Sequence, residues 1–310
     1  MTAAPHEARP SRLRRFLDFT LVRMIVAIFA TSLAGGLTTA FVGEAFGRRF
    51  HDGWPEACGT LAALAGYALY VRLVERRRVD ELAPRGALAE AGIGLAGGAA
   101  MVAAAIGVLA LAGVYRLVGV DAAQATPAAL GTGFAQMAFV AVLEELLTRA
   151  IVFRLLERVL GSWAALVLSS LLFGVGHLPG NSNASVLSFA IVVVAGAFFC
   201  AAYLATRRLW LCIGLHAGWN FTLGHVFSIA VSGHPRAPGL LTGELAGPAW
   251  LTGGGYGLEA SLLTLLALLA VGAWLLRRAV SRGHVVAWRS RAAGGAAHAA
   301  ATPMPDPRLR

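Results

Sequence analysis

The sequence predicts an all-α fold: a polytopic integral membrane protein of about eight transmembrane helices around a polar intramembrane cavity. Three observations carry that prediction. The 310 residues are 57% hydrophobic and only 14% charged, a balance typical of bilayer-spanning chains rather than soluble domains. Apolar stretches of spanning length recur along the chain, separated by Gly, Pro and Arg. One of them carries adjacent acids at membrane depth, which a bilayer tolerates only where they face a bundle interior or a water-filled cavity.

The apolar stretches run over 21–43, 57–74, 87–115, 131–153, 162–178, 185–205, 209–231 and 258–276. A spanning helix needs about 20 residues, and shorter or longer stretches are accommodated by tilt. Breakers and charges mark their ends: Gly47-Arg48-Arg49, Pro84-Arg85-Gly86, Gly161, Pro179-Gly180 and Arg207-Arg208. The first stretch exceeds a signal-peptide core and lacks a small-residue cleavage site after it, so it reads as a retained anchor. The chain therefore divides into a basic cytoplasmic segment (1–20), a transmembrane domain (21–280) and a basic tail (281–310). The tail, rich in Arg, Ala, Gly and Pro, reads as disordered. The Gly-rich, nearly uncharged segment Ser232–Gly257 reads as a floppy connector rather than a lid. No repeat relates the two halves, which argues against an inverted-repeat transporter.

Every one of the 26 basic residues is Arg. They alternate between loops: Arg9, Arg12, Arg14 and Arg15 at the amino terminus; Arg72, Arg76, Arg77, Arg78 and Arg85 in the second loop; Arg154 and Arg158 in the fourth; Arg207 and Arg208 in the sixth; and Arg277, Arg278, Arg282, Arg289, Arg291, Arg308 and Arg310 in the tail. The intervening loops hold only Arg48 and Arg49, then Arg116, then Arg236. Cytoplasmic loops carry the excess of basic residues, so both termini are expected in the cytoplasm of a multi-pass cell-membrane protein. The net charge of +10 is thereby a topology signal and calls for no nucleic-acid partner. Cys58, Cys200 and Cys212 lie in or beside apolar stretches, as small buried hydrophobes do.

Chemistry concentrates in three short patterns. The fourth stretch has Glu144-Glu145 followed by Arg149, the fifth Phe173 and His177, the seventh His216 and Asn220. A charged side chain at a helix centre costs roughly 2.5–3.5 kcal/mol on insertion scales, so two acids and an arginine need partners. Residues four apart share a helix face, so Glu145 can pair with Arg149, and His216 lies beside Asn220. Glu144 points about 100° away and has no basic residue one turn on. An unpaired buried carboxyl suits general-base work near neutral pH. Glu144 is thus assigned to chemistry, Glu145 and Arg149 to structure. His177 is the natural partner for a water on Glu144, and His216 with Asn220 the natural oxyanion site, although sequence permits the histidines to exchange roles. Phe173 packs near His177, and Thr148 back-bonds to its own helix. His225 should face away from His216 on the same helix. His51, His234, His284 and His298 read as solvated, while Glu90 and Glu259 read as acids at helix starts.

These three patterns, EExxxR, FxxxH and HxxxN in that order, resemble the signature of the CAAX-processing and bacteriocin-immunity (CPBP) family of intramembrane glutamic endopeptidases, which includes the type II CAAX prenyl endopeptidases. The resemblance covers about Gly131 to Asn220. It implies that Glu144 and His177 activate water and that His216 and Asn220 support the oxyanion. Glu145, Arg149 and Phe173 would support them, with no cofactor and no metal. The partner it implies is a membrane-associated protein or peptide, lipidated or not, entering a cavity that opens to the cytoplasm. Two alternatives accompany it: a non-enzymatic immunity or membrane binding protein, and a zinc hydrolase liganded by Glu144, His177 and His216. One depth problem remains. At 1.5 Å per residue His216 lies roughly 10 Å inside the cytoplasmic boundary, while His177 falls near the outer end of its stretch. They meet only if the fifth helix tilts or starts near Leu155, and if 178–184 re-enters the protein.

Overall fold

A computed structural model describes residues 17–46 and 52–288. Most of the basic amino-terminal segment, the 47–51 loop with Arg48, Arg49 and His51, and the tail from 289, including His298, lie outside the described residues. In chain order the elements are α1 (Thr20–Phe46), α2 (Trp54–Tyr70, extended by a π turn Val71–Glu75), a 3-10 turn (Asp80–Leu82), α3 (Ala87–Leu111) and β1 (Tyr115–Val120). Next come α4 (Pro127–Glu145, continued by π turns Leu146–Phe153), α5 (Arg154–Gly176), α6 (Val186–Thr206) and α7 (Trp210–Phe221, with a π turn Thr222–Val226). The last are β2 (Leu241–Leu245), the single turn α8 (Ala249–Thr252), 3-10 turns Gly254–Tyr256 and Leu258–Ala260, and α9 (Leu262–Ser281).

Each of the eight apolar stretches contains a helix, and among the described residues the fold is all-α apart from one short strand pair. Among the described residues six helices, against the eight expected, are long and apolar enough to cross a membrane: α1, Trp54–Glu75, α3, α6, α9 and the 50-residue run Pro127–Gly176 that comprises α4 and α5. Laid straight, that run would measure about 75 Å, more than twice a bilayer core of about 30 Å. It turns back at Gly161, whose φ of 77° and ψ of 169° are non-helical. A side chain there would also strike Trp288 N at 2.7 Å and Val286 O at 3.0 Å. Segment 284–288 docks on this corner: Ser162 N donates to Val286 O at 2.9 Å and Val286 N to Ser162 Oγ at 2.8 Å. The start of the tail expected to be disordered is therefore folded, and His284, expected to be solvated, lies with Nδ1 2.8 Å from Leu204 O.

Several helix ends move from their sequence positions for local reasons. The third ends at Leu111 because Gly113 (φ 74°) turns the chain into β1. The last begins at Leu262, where the Ser261 hydroxyl caps Thr264 N at 3.1 Å. β1 pairs antiparallel with β2, from Tyr115 opposite Leu245 to Val120 opposite Leu241. The Ser232–Gly257 segment is consequently no floppy connector: β2 ties it to β1, and Asn181 Nδ2 and Asn183 Nδ2 donate to Ser232 O and Gly233 O at 2.8 and 3.0 Å.

α7 is seated by glycine. Gly94 and Gly98 of α3 face Gly214 and Gly218 of α7, and a Cβ on any of the four would collide with the opposing backbone, for example Leu215 N at 2.7 Å from Gly94 and Trp219 N at 2.7 Å from Gly98. Lipid offers no hydrophobic drive between helices, so close backbone approach through small residues supplies dispersion instead. That contact fixes the helix carrying His216 and Asn220.

The arginine-rich segments meet at one end of the bundle. Glu75 takes Arg77 Nε at 2.6 Å and Arg154 at 2.5 and 2.9 Å. Glu81 takes Arg77 through both Nη atoms, at 2.8 and 2.5 Å, and also the Tyr67 hydroxyl. Arg207 pairs with Glu157 at 2.5 Å, Arg282 Nη1 donates to Ala205 O at 2.8 Å, and Tyr70 donates to Arg23 O at 3.0 Å. Burial alone would raise the Glu81 carboxyl, but the Arg77 guanidinium outweighs it and holds Glu81 below its ordinary value.

Candidate active site

Glu144 and Glu145 leave α4 in different directions, as their 100° separation requires. Glu145 is fully buried and paired: Arg149 Nη1 lies 3.1 Å from its Oε1, the i+4 pair read from sequence. His216 Nδ1 lies 2.9 Å from the same oxygen, a link across helices that sequence did not reveal. Arg149 also donates to Gly196 O at 3.1 Å and Thr148 Oγ1 at 2.5 Å. Its guanidinium carbon lies 4.6 Å and 4.9 Å from the ring centroids of Phe173 and Phe199, so two aromatic faces and three acceptors shelter the buried cation. Phe173 thus also supports Arg149. Thr148 back-bonds to Glu144 O at 2.5 Å.

Glu144 points toward two imidazoles. His177 Nε2 and His216 Nε2 each lie 3.9 Å from Glu144 Oε2. Their opposite nitrogens are occupied. The i+4 spacing of Phe173 and His177 puts His177 Nδ1 2.8 Å from Phe173 O, and a carbonyl can only accept, so His177 Nδ1 carries hydrogen. His216 Nδ1 meets the Glu145 carboxyl. In the neutral rings, both Nε2 atoms then present lone pairs toward Glu144. Aromatic faces fix both rings: Phe173 against His177 at 4.5 Å and Phe199 against His216 at 4.8 Å. Glu144 Oε2 itself has no hydrogen-bond partner among the described residues. Asn220, one turn beyond His216 and buried, spends its carboxamide on no hydrogen bond among the described residues. The four residues singled out from sequence are therefore together.

They border two cavities. The wider, about 720 Å³, is lined by Glu144, His177, His216 and Asn220 and by the loops around Asn181 and Ser232; its size is that of a ligand site. The smaller, about 50 Å³, lies behind Phe173, His177, His216 and Asn220. The depth problem resolves through α5: it begins at Arg154, and after Gly161 its Ser162–Gly176 portion rises only about 22 Å. His177 thus ends that portion at the level of Glu144. Irregular backbone beyond it lines the cavity, which is where such backbone is tolerated in a membrane.

Two expectations need correction. Glu259 is no helix-start acid. It sits in the 3-10 turn before α9, accepts from Trp219 Nε1 and Ser232 Oγ at 3.1 Å each and from Ser232 N, and lines the smaller cavity. His225 does not face away: the π turn at Thr222–Val226 rotates it onto Gly133 and into the lining of the wider cavity. Glu90 stands in the first turn of α3, as read from the sequence, and also pairs with Arg208 at 3.4 Å. The wider cavity is bordered by segments remote from the arginine-rich end. Its walls come from α4 before Glu145, the far ends of α5 and α7, and loops 179–183, 229–237 and 254–257, all on the arginine-poor side.

Among the described residues, no group of three or more His, Cys, Asp and Glu side chains is arranged to hold a metal ion. Residues 125–222 match a protein-family model described as Rce1-like, type II CAAX prenyl endopeptidase Rce1-like. No curated protein and no solved structure matches the chain. The matched stretch runs from just before α4 to the π turn after α7 and contains every residue of the three sequence patterns. The chain therefore carries a type II CAAX prenyl endopeptidase Rce1-like domain, of the CAAX-protease family that those patterns resemble, over residues 125–222.

Proposed function

We propose that the chain is a glutamic-type intramembrane endopeptidase of the cell membrane, hydrolysing peptide bonds of membrane-associated proteins or peptides with water activated at Glu144. The observation that carries this reading is the pair of equal 3.9 Å approaches of His177 Nε2 and His216 Nε2 to one oxygen of Glu144. That spacing is too long for a direct hydrogen bond, and a polar gap of this kind is where a bridging water belongs. The water donates one hydrogen to Glu144 and is oriented by His177 Nε2. Its oxygen attacks the scissile carbonyl carbon while Glu144 takes the proton. The oxyanion that forms is met by the Asn220 amide and by His216, whose imidazolium form the Glu145 carboxylate backs through Nδ1. Glu144 then returns the proton to the departing amine as the C–N bond breaks, leaving a new carboxyl terminus and a new amino terminus.

Glu145 and Arg149 act by holding His216, in keeping with their complete burial. The test compares membrane peptides from cells carrying the wild type and Glu144→Gln, with both proteins present at equal levels. New termini should appear only with the wild type. Identical termini at equal rates would reject the reading.

A further inference from the structure

We propose that Glu259 is a positioning residue for the reaction: its carboxylate closes a hydrogen-bonded belt that sets His177 at a fixed distance from His216 and Asn220. The inference rests on the peptidase reading and adds to it a residue outside the three sequence patterns and outside the matched stretch 125–222. The belt starts at His177. Asn181, four residues on, points Nδ2 at His177 O (3.5 Å) and donates to Ser232 O at 2.8 Å. Ser232 in turn donates to Glu259 Oε2 from its backbone N and from Oγ, the latter at 3.1 Å. The other oxygen, Oε1, accepts from Trp219 Nε1 at 3.1 Å, and Trp219 directly precedes Asn220.

Two features separate this role from plain loop anchoring. The first is place. Ser232, His177, His216 and Asn220 each line both cavities, so the belt runs along the wall that carries the reacting groups. The proposed mechanism needs that width fixed, because His177 orients the water while His216 and Asn220 meet the oxyanion. The Ser232 loop has other attachments that do not involve Glu259: Asn183 Nδ2 to Gly233 O at 3.0 Å, Gly233 N to Tyr256 O at 2.8 Å and Ile229 N to Leu223 O at 3.0 Å. The second feature is chemistry. Three donors converge on the two carboxylate oxygens, an arrangement that suits a side chain that only accepts. A glutamine there would turn its NH2 group against either Ser232 or Trp219 and open the belt at that link.

The test uses full-length protein in detergent, labelled with isotope-enriched histidine. The ring signals of His177 and His216 are assigned by their loss in His177→Ala and His216→Ala. Glu259→Gln should move at least one of the two signals. With a peptide spanning a cleavage site unique to the wild type, it should lower kcat by up to about 10²-fold, the cost of a misplacement of roughly 1 Å, with KM near the wild-type value. Trp219→Phe cuts the same belt from the other side and keeps the packing, so it should act in the same direction. The double variant should then be no worse than the weaker of the two singles, because both break one connection. A lower melting temperature with ring signals and kcat at wild-type values would make Glu259 a loop anchor and overturn the proposal, as would fully additive losses in the double variant. The ring signals respond whether or not the protein cleaves anything, so this result stands apart from that of Glu144→Gln.

Discussion

Two buried ionic clusters in this protein treat their polar atoms differently. At the arginine-rich end, Glu75 and Glu81 are saturated: between them they take Arg77, Arg154 and Tyr67, and none of their carboxylate oxygens is left without a partner. In the centre of the bundle, Glu144 Oε2, Glu145 Oε2 and Arg149 Nε are buried without hydrogen bonds among the described residues. Buried polar atoms are nearly always satisfied, and an exception needs a reason. For the first cluster the reason to exist is structural, binding the ends of α2 and α5 together. For the second, the proposed function supplies the reason: the unspent oxygen of Glu144 would accept from a water or a substrate. One cluster holds the fold; the other is held by it.

Substitutions can break or sharpen that contrast. Removing the base should have the largest effect: Glu144→Gln is expected to lower cleavage by about 10²–10⁴-fold while leaving thermal stability in detergent unchanged. At the saturated cluster the expectation reverses. Glu75→Gln strips the charge that Arg77 and Arg154 share, and breaking a buried pair costs about 3–5 kcal/mol. It should lower the melting temperature and the amount of protein in the membrane, with the activity of each surviving molecule retained. Asn220→Ala, which removes one oxyanion donor, should lower kcat by about 10²–10³-fold with little change in KM. Gly218→Val would push a side chain into Leu95 of α3. Overpacking costs about 1–3 kcal/mol, and because α7 moves with it, activity and stability should fall together.

The smallest effect is pH. Glu81 has its carboxyl held low in the folded protein, so the unfolded chain binds the extra proton first. Its contribution to stability is present above the ordinary carboxylate range and is lost as pH falls through the lower folded value. Melting curves should show this acid-side loss in the wild type and a flatter profile in Glu81→Gln.

Much of the centre was legible in the sequence because helix geometry is local. The i+4 rule joined Glu145 to Arg149, put His216 beside Asn220 and separated Glu144 from both. It also explains why Phe173 precedes His177 by four residues: the carbonyl of one takes the ring nitrogen of the other. What escaped depends on contacts between elements distant in sequence. The Glu145–His216 bond joins α4 to α7. Glu259 reads as a dipole acid because it stands at the head of an apolar run, and only the folded Ser232 loop turns it inward. His225 was misplaced by counting 100° per residue through a stretch that winds as a π turn. Which loops border the wider cavity follows from how α4, α5 and α7 pack against one another, which no pattern within a single helix reports.

The central claim is that Glu144 delivers water to a peptide bond. Membranes from cells carrying the wild type or Glu144→Gln, incubated in 18O-water, put it to the most direct test. Each carboxyl terminus unique to the wild type should carry one 18O atom, and none should form with Glu144→Gln. The same labelled termini arising at the wild-type rate without the glutamate would contradict the account.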